Sequence, residues 1–319
     1  MDRERRVAVI DVGSNSLKLL VASRIHHVIS TLFERTEITR LSEGLFKDKI
    51  LLDKPVVRNV EVIDSMVHQA KALDVDGIEI VGTMALRVAE NSDYFSTLLE
   101  EKTGILLRVL SGDEEAELSF IGALSGLPQS LKFEEVTLFD IGGGSTEFVR
   151  GKESSIVDRC SLSLGSVPLT ERYLQVSPVS DELLSRARYA IKEEIEHLDH
   201  VFRQGPLIGI GGTITTLAAV QLELETYKAS RIHGINLSRE DVHDQLLRYA
   251  SRTIADRCQI PGLSPGRADI ILAGACIVEE ILDMTREESF TVSDRGLRHG
   301  VAMHYFEKDS EGEEPLLLP

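Results

Sequence analysis

The sequence has few cysteines and no long apolar run, and each shortage excludes a class of protein. Its three cysteines are odd in number and widely spaced, which indicates free thiols in a reducing compartment and no disulfide framework. The longest apolar run, Ile270 to Val278, is too short to cross a bilayer. The apolar run that Asp11 interrupts predicts a first β-strand and not a signal peptide. We therefore expect a cytoplasmic protein that does not use a membrane as a partner.

Basic residues are also scarce. The chain has 35 Lys and Arg against 52 Asp and Glu, a net charge of −17. This balance argues against nucleic acid as a partner, because affinity for that backbone comes mainly from basic side chains. A small phosphorylated substrate remains compatible with it, since such a site needs only a few local cations, N–H groups and a metal ion.

Two segments of the chain resemble each other at an offset of 129 residues. The first runs from Val7 to Ser16 and the second from Val136 to Ser145, and in each an Asp, a Gly and a Ser recur at matching positions between apolar runs. A repeat of this length indicates a duplicated domain, as the length of 319 residues also suggests. Each copy predicts a strand, a tight polar turn and a second strand.

The chemistry of these turns favours phosphate and a divalent cation. Glycine in a turn lets backbone N–H groups form a concave anion site. The aspartates that end the first strands, Asp11 and Asp140, can hold a cation directly or through water. The alternative for Gly142-Gly143-Gly144 is a merely flexible turn. Three consecutive glycines cost backbone entropy, so the anion site is the favoured interpretation.

Strands and helices alternate along the whole chain, which predicts an α/β fold with two domains. We expect an N-terminal domain over residues 1–125 and a C-terminal domain over 126–306, joined by a loop at 125–130. A closing helix over 295–308 is expected to pack back on the first domain, and the acidic tail, 307–319, to be flexible. A third glycine loop, Gly211-Gly212-Thr213, lies between an apolar strand and an apolar helix, where helix N-termini stabilise anions.

Two further features of the sequence can be explained either by a structural role or by a catalytic one. The acids of Asp113-Glu114-Glu115 either complement a helix dipole or include a carboxylate that accepts a proton from an attacking water. Likewise Thr83 and Arg87 follow a strand at a spacing that places them on one face of a short helix. Arg87 is either an ordinary surface residue or a guanidinium that neutralises a transferring phosphate.

Taken together and in order, six motifs resemble the exopolyphosphatase/guanosine pentaphosphate phosphohydrolase family, Ppx/GppA. They are residues 11–16, 81–87, 111–116, 140–147, 211–213 and 292–298. The resemblance spans about residues 7–305. It implies the actin-like ATPase superfamily fold: two duplicated RNase H-like domains, each a five-stranded mixed sheet with helices, and a cleft between them. The chain is similar to the short, two-domain form of the family.

The resemblance also implies roles for individual residues. Glu115 matches the family's catalytic glutamate, a general base on the attacking water, and Arg87 matches the arginine that faces the transferred phosphoryl group. The Mg²⁺ ligands implied are Asp140 and Glu147, with Asp11 as the counterpart from the first domain. Phosphate-binding groups are implied at Ser14, Asn15, Thr83, Gly142, Gly143, Ser145, Gly211, Gly212 and Thr213.

The function implied is a Mg²⁺-dependent phosphohydrolase with Mg²⁺ as its cofactor. It would release terminal orthophosphate from polyphosphate, favouring short chains, or the 5′-γ-phosphate of guanosine pentaphosphate, and a homodimer is a further expectation. One alternative is a regulatory protein of the actin-like superfamily that binds nucleotide or phosphate without turnover. Another is a kinase of that superfamily, for which the sequence shows neither a catalytic aspartate base nor a sugar pocket.

Overall fold

The computed structural model of the chain describes residues 4–25, 28–127, 131, 134–152, 155–203 and 205–310. These residues form two compact units. The first contains the described residues as far as Leu110 together with the last helix, and the second extends from Ser111 to Gly296. Two units agree with the expectation from the length of the chain.

The first unit is built on a five-stranded sheet. Its strands are β1 (Arg5–Val12), β2 (Ser16–Ile25), β3 (Val28–Ile38), β4 (Gly77–Gly82) and β5 (Leu107–Val109), in the order β3-β2-β1-β4-β5. The first three strands are antiparallel, whereas β4 is parallel to β1 and β5 is parallel to β4. This mixed sheet is the RNase H-like arrangement that the sequence predicts.

Helices cover the sheet of the first unit. They are α1 (Leu45–Asp48), α2 (Asp53–Lys71), α3 (Met84–Val88) and α4 (Ser92–Thr103). In α2 the apolar residues recur at helical spacing, and Val56, Ile63 and Val67 are buried in the core with β1 and β2. The burial of this one face holds the helix against the strands that end in the first polar turn.

The second unit repeats this sheet and adds one strand. Its strands are β6 (Val136–Ile141), β7 (Thr146–Lys152), β8 (Ser155–Leu162), β9 (Leu207–Ile210), β10 (Asn236–Ser238) and β11 (Ser289–Val292). Their order is β10-β11-β9-β6-β7-β8. Strands β6 to β8 are antiparallel, and β9 is parallel to β6 and to β11, so only the short β10 is an addition at one edge.

The helices of the second unit surround a large apolar core. They are α5 (Gly112–Ser125), α6 (Ser166–Tyr173), α7 (Asp181–Ile195), α8 (Asp199–Phe202), α9 (Gly211–Gln221), α10 (Ala229–Ile232), α11 (Arg239–Ala250), α12 (Ile254–Arg257) and α13 (Ile271–Thr285), with 3-10 helices at Glu196–Leu198 and Pro265–Arg267. Helix α13 is the central one, because all but one of its residues are buried. The last helix, α14 (Leu297–Ser310), belongs to the first unit and contacts β1 and β2.

The division between the units lies at Leu110 and Ser111, not at the predicted boundary of 125 and 126. The reason is the apolar face of α5. Its residues Ala116, Phe120 and Ala123 are buried in a cluster with β6 and β7, so the helix belongs to the second unit. The predicted linker lies partly outside the described residues, as does the tail beyond residue 310.

Strand register confirms the duplication. Val12 pairs with Leu17 across the first hairpin and Ile141 pairs with Thr146 across the second, so 141 matches 12 and 146 matches 17 at the same offset of 129. The parallel neighbours agree as well, because Asp11 lies beside Val81 and Asp140 beside Ile210. Among the described residues no helix has the length and apolarity needed to span a membrane.

Candidate active site

The turn of the second hairpin is held rigidly by hydrogen bonds to its own backbone. The Gly142 N–H donates to the Ser145 carbonyl at 2.9 Å. The start of α6 locks the turn from outside, because the Val167 N–H donates to the Gly143 carbonyl at 2.8 Å and Ser166 donates to the Gly142 carbonyl. Gly165 lies so close to Gly143 that a β-carbon there would come within 2.5 Å of the carbonyl oxygen.

The glycines of the two turns serve close packing rather than an unusual backbone conformation. Neither Gly13 nor Gly142 has a positive φ. A β-carbon at Gly13 would meet the Ser16 carbonyl oxygen at 3.0 Å, and one at Gly142 would meet the Ser145 carbonyl oxygen at 3.2 Å. A side chain at either position would therefore press on the carbonyl that closes the turn, because the chain folds back tightly on itself.

A half-buried and a buried carboxylate face each other across the second hairpin. Asp140 on β6 and Glu147 on β7 are cross-strand partners and therefore share one face of the sheet. Burial raises the pKa of Glu147 well above its ordinary value, and the neighbouring carboxylates of Glu115 and Asp140 raise it further. The hydroxyls of Ser145 and Ser161 oppose this rise by donating to the carboxylate, Ser161 at 3.0 Å.

Two adjacent glutamates in the first turn of α5 have different surroundings. Ser111 caps the helix by accepting from the Glu114 N–H, and the Glu114 side chain accepts from the Ser111 N–H at 2.9 Å, which completes a capping box. Glu115 is buried, with 8% of its surface exposed, and lies near Glu147. The structure thus assigns Glu114 to the helix end and brings Glu115 to the acidic cluster.

The donor set fits Mg²⁺ bound partly by the protein. Among the residues that the structure describes, no group of three or more His, Cys, Asp or Glu side chains converges to hold a metal. Mg²⁺ does not require such a group, because it keeps several waters and is usually bound by one or two carboxylates and substrate phosphates. Asp140 and Glu147 provide two hard oxygen donors, and a cation there would offset the charge that raises the pKa of Glu147.

The third glycine loop joins β9 to α9 directly beside Asp140. Gly211 has φ +89°, and a β-carbon there would collide with the Asp140 carboxylate. The N-cap position of α9 is Ile210, which provides no side-chain cap. The first N–H groups of the helix, at Gly212 and Thr213, are consequently not capped by that residue and are suited to an anion.

Arg267 is a candidate site residue that lies outside all six sequence motifs. Its guanidinium lies directly against Gly212, so closely that no β-carbon fits between them. Burial lowers the pKa of Arg267 to about 10. The nearby Asp269 carboxylate opposes this lowering of the pKa. A partly buried cation over an uncapped helix end is an arrangement that attracts an anion. The sequence signal was weak, because Arg267 lies 54 positions after Thr213 with no motif around it.

The hairpin of the first unit repeats the geometry with a different charge. The Gly13 N–H donates to the Ser16 carbonyl at 3.1 Å. Asp11 is the cross-strand partner of Lys18, whose Nζ lies 3.9 Å from the Asp11 Oδ2. Burial raises the pKa of Asp11, and the positive charges of Lys18 and Arg298 oppose this rise. Asp11 is therefore a weaker metal ligand candidate than Asp140 or Glu147, because a fixed cation already lies beside it.

Polar atoms in the first turn are buried and partly unsatisfied. Ser14 and Asn15 are each no more than 6% exposed, and the Asn15 Nδ2 has no hydrogen-bond partner among the described residues. The carbonyls of both residues accept backbone N–H groups from residues 39–42, which hold the turn in place. A buried amide donor without a partner costs free energy unless a ligand binds it.

Thr83 and Arg87 are both committed to the first unit's own backbone. The Thr83 N–H and hydroxyl both donate to the Val12 carbonyl, at 3.2 and 3.3 Å. Arg87, on α3, donates from Nη1 to the Leu110 carbonyl at 2.9 Å. The binding of phosphate by Thr83 and Arg87 stays a prediction, because their hydrogen bonds to the backbone already give both side chains a structural role.

Comparison with known proteins identifies the family. The model of the Ppx/GppA phosphatase family matches residues 6–309, and the chain belongs to this family. Exopolyphosphatase 2 of Mycobacterium tuberculosis is 32% identical over 321 residues, covering 93% of this chain and 98% of that protein. The solved structure of the Aquifex aeolicus family member has a TM-score of 0.81 at 28% identity, covering 96% of this chain and 99% of that one.

A further relative is much longer than this chain. The bifunctional 3-dehydroquinate synthase/phosphatase of Fusobacterium nucleatum is 31% identical over 298 residues, which are 90% of this chain. The match covers only 44% of the Fusobacterium protein. The similarity therefore concerns one part of that bifunctional protein.

Proposed function

We propose that the protein is a Mg²⁺-dependent phosphohydrolase that releases terminal orthophosphate. Its substrates would be inorganic polyphosphate, with short chains favoured, or guanosine pentaphosphate, from which it would remove the 5′-γ-phosphate. The relatives named as exopolyphosphatases support polyphosphate as the substrate class. The homodimer and the cytoplasmic location stay predictions.

One observation carries the proposal: the second unit brings opposite charges to adjacent glycine loops. The buried Glu147 and Glu115 form an acidic cluster with the half-buried Asp140. Next to it Arg267 lies over Gly212, and burial lowers the pKa of its guanidinium although the Asp269 carboxylate opposes this. Buried charges of both signs that do not neutralise one another are costly without ligands. A metal ion on the acids and a phosphate on the guanidinium would offset both costs.

In this proposal the reaction is a direct displacement by water. The water oxygen forms a bond to the terminal phosphorus while the bond from that phosphorus to the bridging oxygen breaks, and the leaving phosphate keeps the electron pair. Glu115 accepts the proton of the water as the bond forms. The capping box at Ser111 and Glu114 holds the first turn of α5 and thereby fixes the base. No covalent nucleophile is required.

The remaining residues bind and orient the phosphates. When bound, Mg²⁺ neutralises charge on the phosphate oxygens. Asp140 and Glu147 would hold it, and Ser161 orients Glu147 through its hydrogen bond. Arg267 and the N–H groups of Gly212 and Thr213 would bind phosphate oxygens, as would the backbone of Gly142 and Gly143 and the Ser145 hydroxyl. In the first unit, Ser14 and Asn15 are proposed to bind phosphate as well.

The decisive experiment measures phosphate release from three substrates: tripolyphosphate, long-chain polyphosphate and guanosine pentaphosphate. Each is tested with Mg²⁺ and with the metal removed by a chelator. We expect release that requires Mg²⁺ from at least one of them. Binding of these compounds without any release, at saturating Mg²⁺, would contradict the proposal and favour the regulatory binding protein.

The preference for short chains has its own test. Holding a long polyphosphate through many cleavages needs a cationic track, and the chain has only 35 basic residues against 52 acids. We expect the enzyme to release long chains between cleavages. A gel of a long-chain digest should then show a descending ladder of intermediates. Full-length chains together with free phosphate, and nothing between them, would contradict this part of the proposal.

A further inference from the structure

Arg257 is the largest fully buried side chain among the residues that the structure describes, and the function proposed above gives it no role. Only 1% of its surface is exposed. Its Nε donates to the Tyr249 carbonyl at 2.7 Å and its Nη1 donates to the Ala268 carbonyl at 3.2 Å. The Nη2 atom is buried and has no hydrogen-bond partner among the described residues. Because the side chain is enclosed, it cannot reach a substrate.

The cost of burying this guanidinium indicates that its two bonds matter. Burying a charge is usually destabilising, and burial lowers the pKa of Arg257 although the Asp269 carboxylate opposes this. An apolar residue of similar length would avoid this cost. What such a residue would lose is the fork of donors that joins the end of α11, at Tyr249, to the turn at Ala268.

The segment that Arg257 holds is the one that carries Arg267. The 3-10 helix Pro265–Arg267 is short and is closed by local bonds, from the Arg267 N–H to Ser264 and from the Ala268 N–H to Pro265. Short 3-10 helices have poor hydrogen-bond geometry and little stability of their own. The bond from Arg257 to Ala268 reaches across 11 positions and ties the residue next to Arg267 to the core.

A second anchor lies further back in the same segment. Gly262 has φ +85° and lies against the Ala219 carbonyl of α9, with no space for a β-carbon. Arg267 lies against Gly212 at the opposite end of the same helix. The segment is therefore fixed on α9 at Gly262, and Arg257 fixes it again immediately beyond Arg267.

We propose that Arg257 is a positioning residue, which sets the affinity of the phosphate site by fixing the backbone from which Arg267 reaches Gly212. This inference rests on the proposed function, because it requires Arg267 to bind phosphate. Arg257 acts through Arg267 alone, so its effect should vanish when Arg267 is changed.

A double-mutant cycle on the full-length protein tests this dependence. The dissociation constant for orthophosphate is measured by calorimetry in the wild type, Arg257→Lys, Arg267→Gln and the double variant. Arg267→Gln should weaken binding by about 10- to 100-fold, as expected for a charge-assisted hydrogen bond. Arg257→Lys keeps the charge but loses the fork and should weaken binding by about 3- to 30-fold, within the usual range for coupled residues. The double variant should bind no more weakly than Arg267→Gln alone.

Tyr249→Phe is the matched control for lost stability. It removes the buried hydroxyl that donates to Gln245 at 2.8 Å but leaves the carbonyl that Arg257 uses. It should lower the melting temperature without changing the phosphate affinity. If Arg257→Lys does not fold, Arg257→Gln, which retains an amide donor, replaces it in the cycle.

The outcomes separate the inference from the function on which it rests. If Arg267→Gln weakens binding and the effects of the two substitutions add in the double variant, the positioning role is overturned and the function stands. If Arg267→Gln leaves phosphate affinity unchanged, Arg267 is not a phosphate ligand and both are overturned. A loss of affinity in Tyr249→Phe as large as in Arg257→Lys would assign the effect to general destabilisation and also overturn the inference.

Discussion

The two hairpins have the same backbone geometry but differ in the charge of one cross-strand residue. In each, an aspartate on the first strand pairs with a residue on the second, Asp11 with Lys18 and Asp140 with Glu147. In the first pair Lys18 offsets part of the charge of Asp11, although burial still raises the pKa of that carboxyl, whereas the second pair adds a carboxylate to a carboxylate. A duplicated fold has thus kept its geometry while the charge at one cross-strand position differs between the two copies.

The loops that follow the neighbouring strands differ in the same way. At the offset of 129, Gly82 at the end of β4 corresponds to Gly211 directly after β9. Gly82 has an ordinary φ and its nearest neighbour is the end of the Leu86 side chain. Gly211 has φ +89° and lies against the Asp140 carboxylate. The left-handed backbone conformation at Gly211 therefore has no counterpart at Gly82.

The largest effect is expected at Glu115, which joins the acidic cluster of the second hairpin. Glu115→Gln removes the proton acceptor and should lower the turnover rate by roughly 10²- to 10⁴-fold while the melting temperature holds. Glu114→Gln is the control, because glutamine also completes a capping box. It should change turnover far less. Equal losses at the two positions would show that the base is assigned to the wrong residue.

The affinity for Mg²⁺ should depend much more on Asp140 than on Asp11. Asp140→Asn is expected to weaken Mg²⁺ binding and activity together, by at least the roughly 10- to 100-fold typical of altered metal sites. Asp11→Asn should leave the Mg²⁺ affinity nearly unchanged, since Lys18 already balances Asp11. Calorimetric titration with Mg²⁺ measures both. A wild-type titration in Asp140→Asn would mean that Asp140 only orients the turn.

The two loop glycines should differ in their tolerance of alanine. Gly211→Ala forces a side chain into the left-handed region, which costs about 1–2 kcal/mol, and also displaces Asp140. Gly82→Ala should be nearly neutral, because Leu86 can move and alanine lowers the entropy of the unfolded chain. Denaturant unfolding measures the difference. Similar losses of stability in both variants would contradict the contrast between the loops.

The smallest effect concerns stability without metal. Because the pKa of Glu147 is raised in the folded protein, the folded state takes up a proton more readily than the unfolded state, and this stability is lost as pH rises through the folded pKa. Glu147→Gln should therefore raise the melting temperature at neutral pH in metal-free buffer, by about 2–4 °C per kcal/mol gained.

Two conditions should abolish the higher melting temperature of Glu147→Gln relative to the wild type. Lowering the pH toward 4.5 protonates the wild-type carboxyl, and added Mg²⁺ stabilises the wild type by binding only to it. Lys18→Gln is the matched change in the first hairpin and should not raise the melting temperature, because it removes a favourable partner of Asp11. A metal-free Glu147→Gln protein less stable than the wild type would show that the carboxylate is compensated by other groups.

Much of the fold was predictable because it depends on short-range patterns. The hairpins were visible from apolar runs around a polar turn, and α2 from apolar residues at helical spacing. The boundary between the units was not, since α5 has no sequence mark for the sheet it joins. Its buried residues Phe120 and Ala123 decide its place only when β6 and β7 are present.

The sequence by itself determined the duplicated hairpins, the three glycine loops and the acidic run, because turn chemistry and side-chain periodicity act over a few neighbouring residues. The tertiary structure decided which of the adjacent glutamates is buried, that Lys18 balances Asp11 while Glu147 adds to Asp140, and that Arg267 lies over Gly212. These facts depend on contacts between residues distant in the chain, whose charges and burial exist only after the sheets and helices have packed.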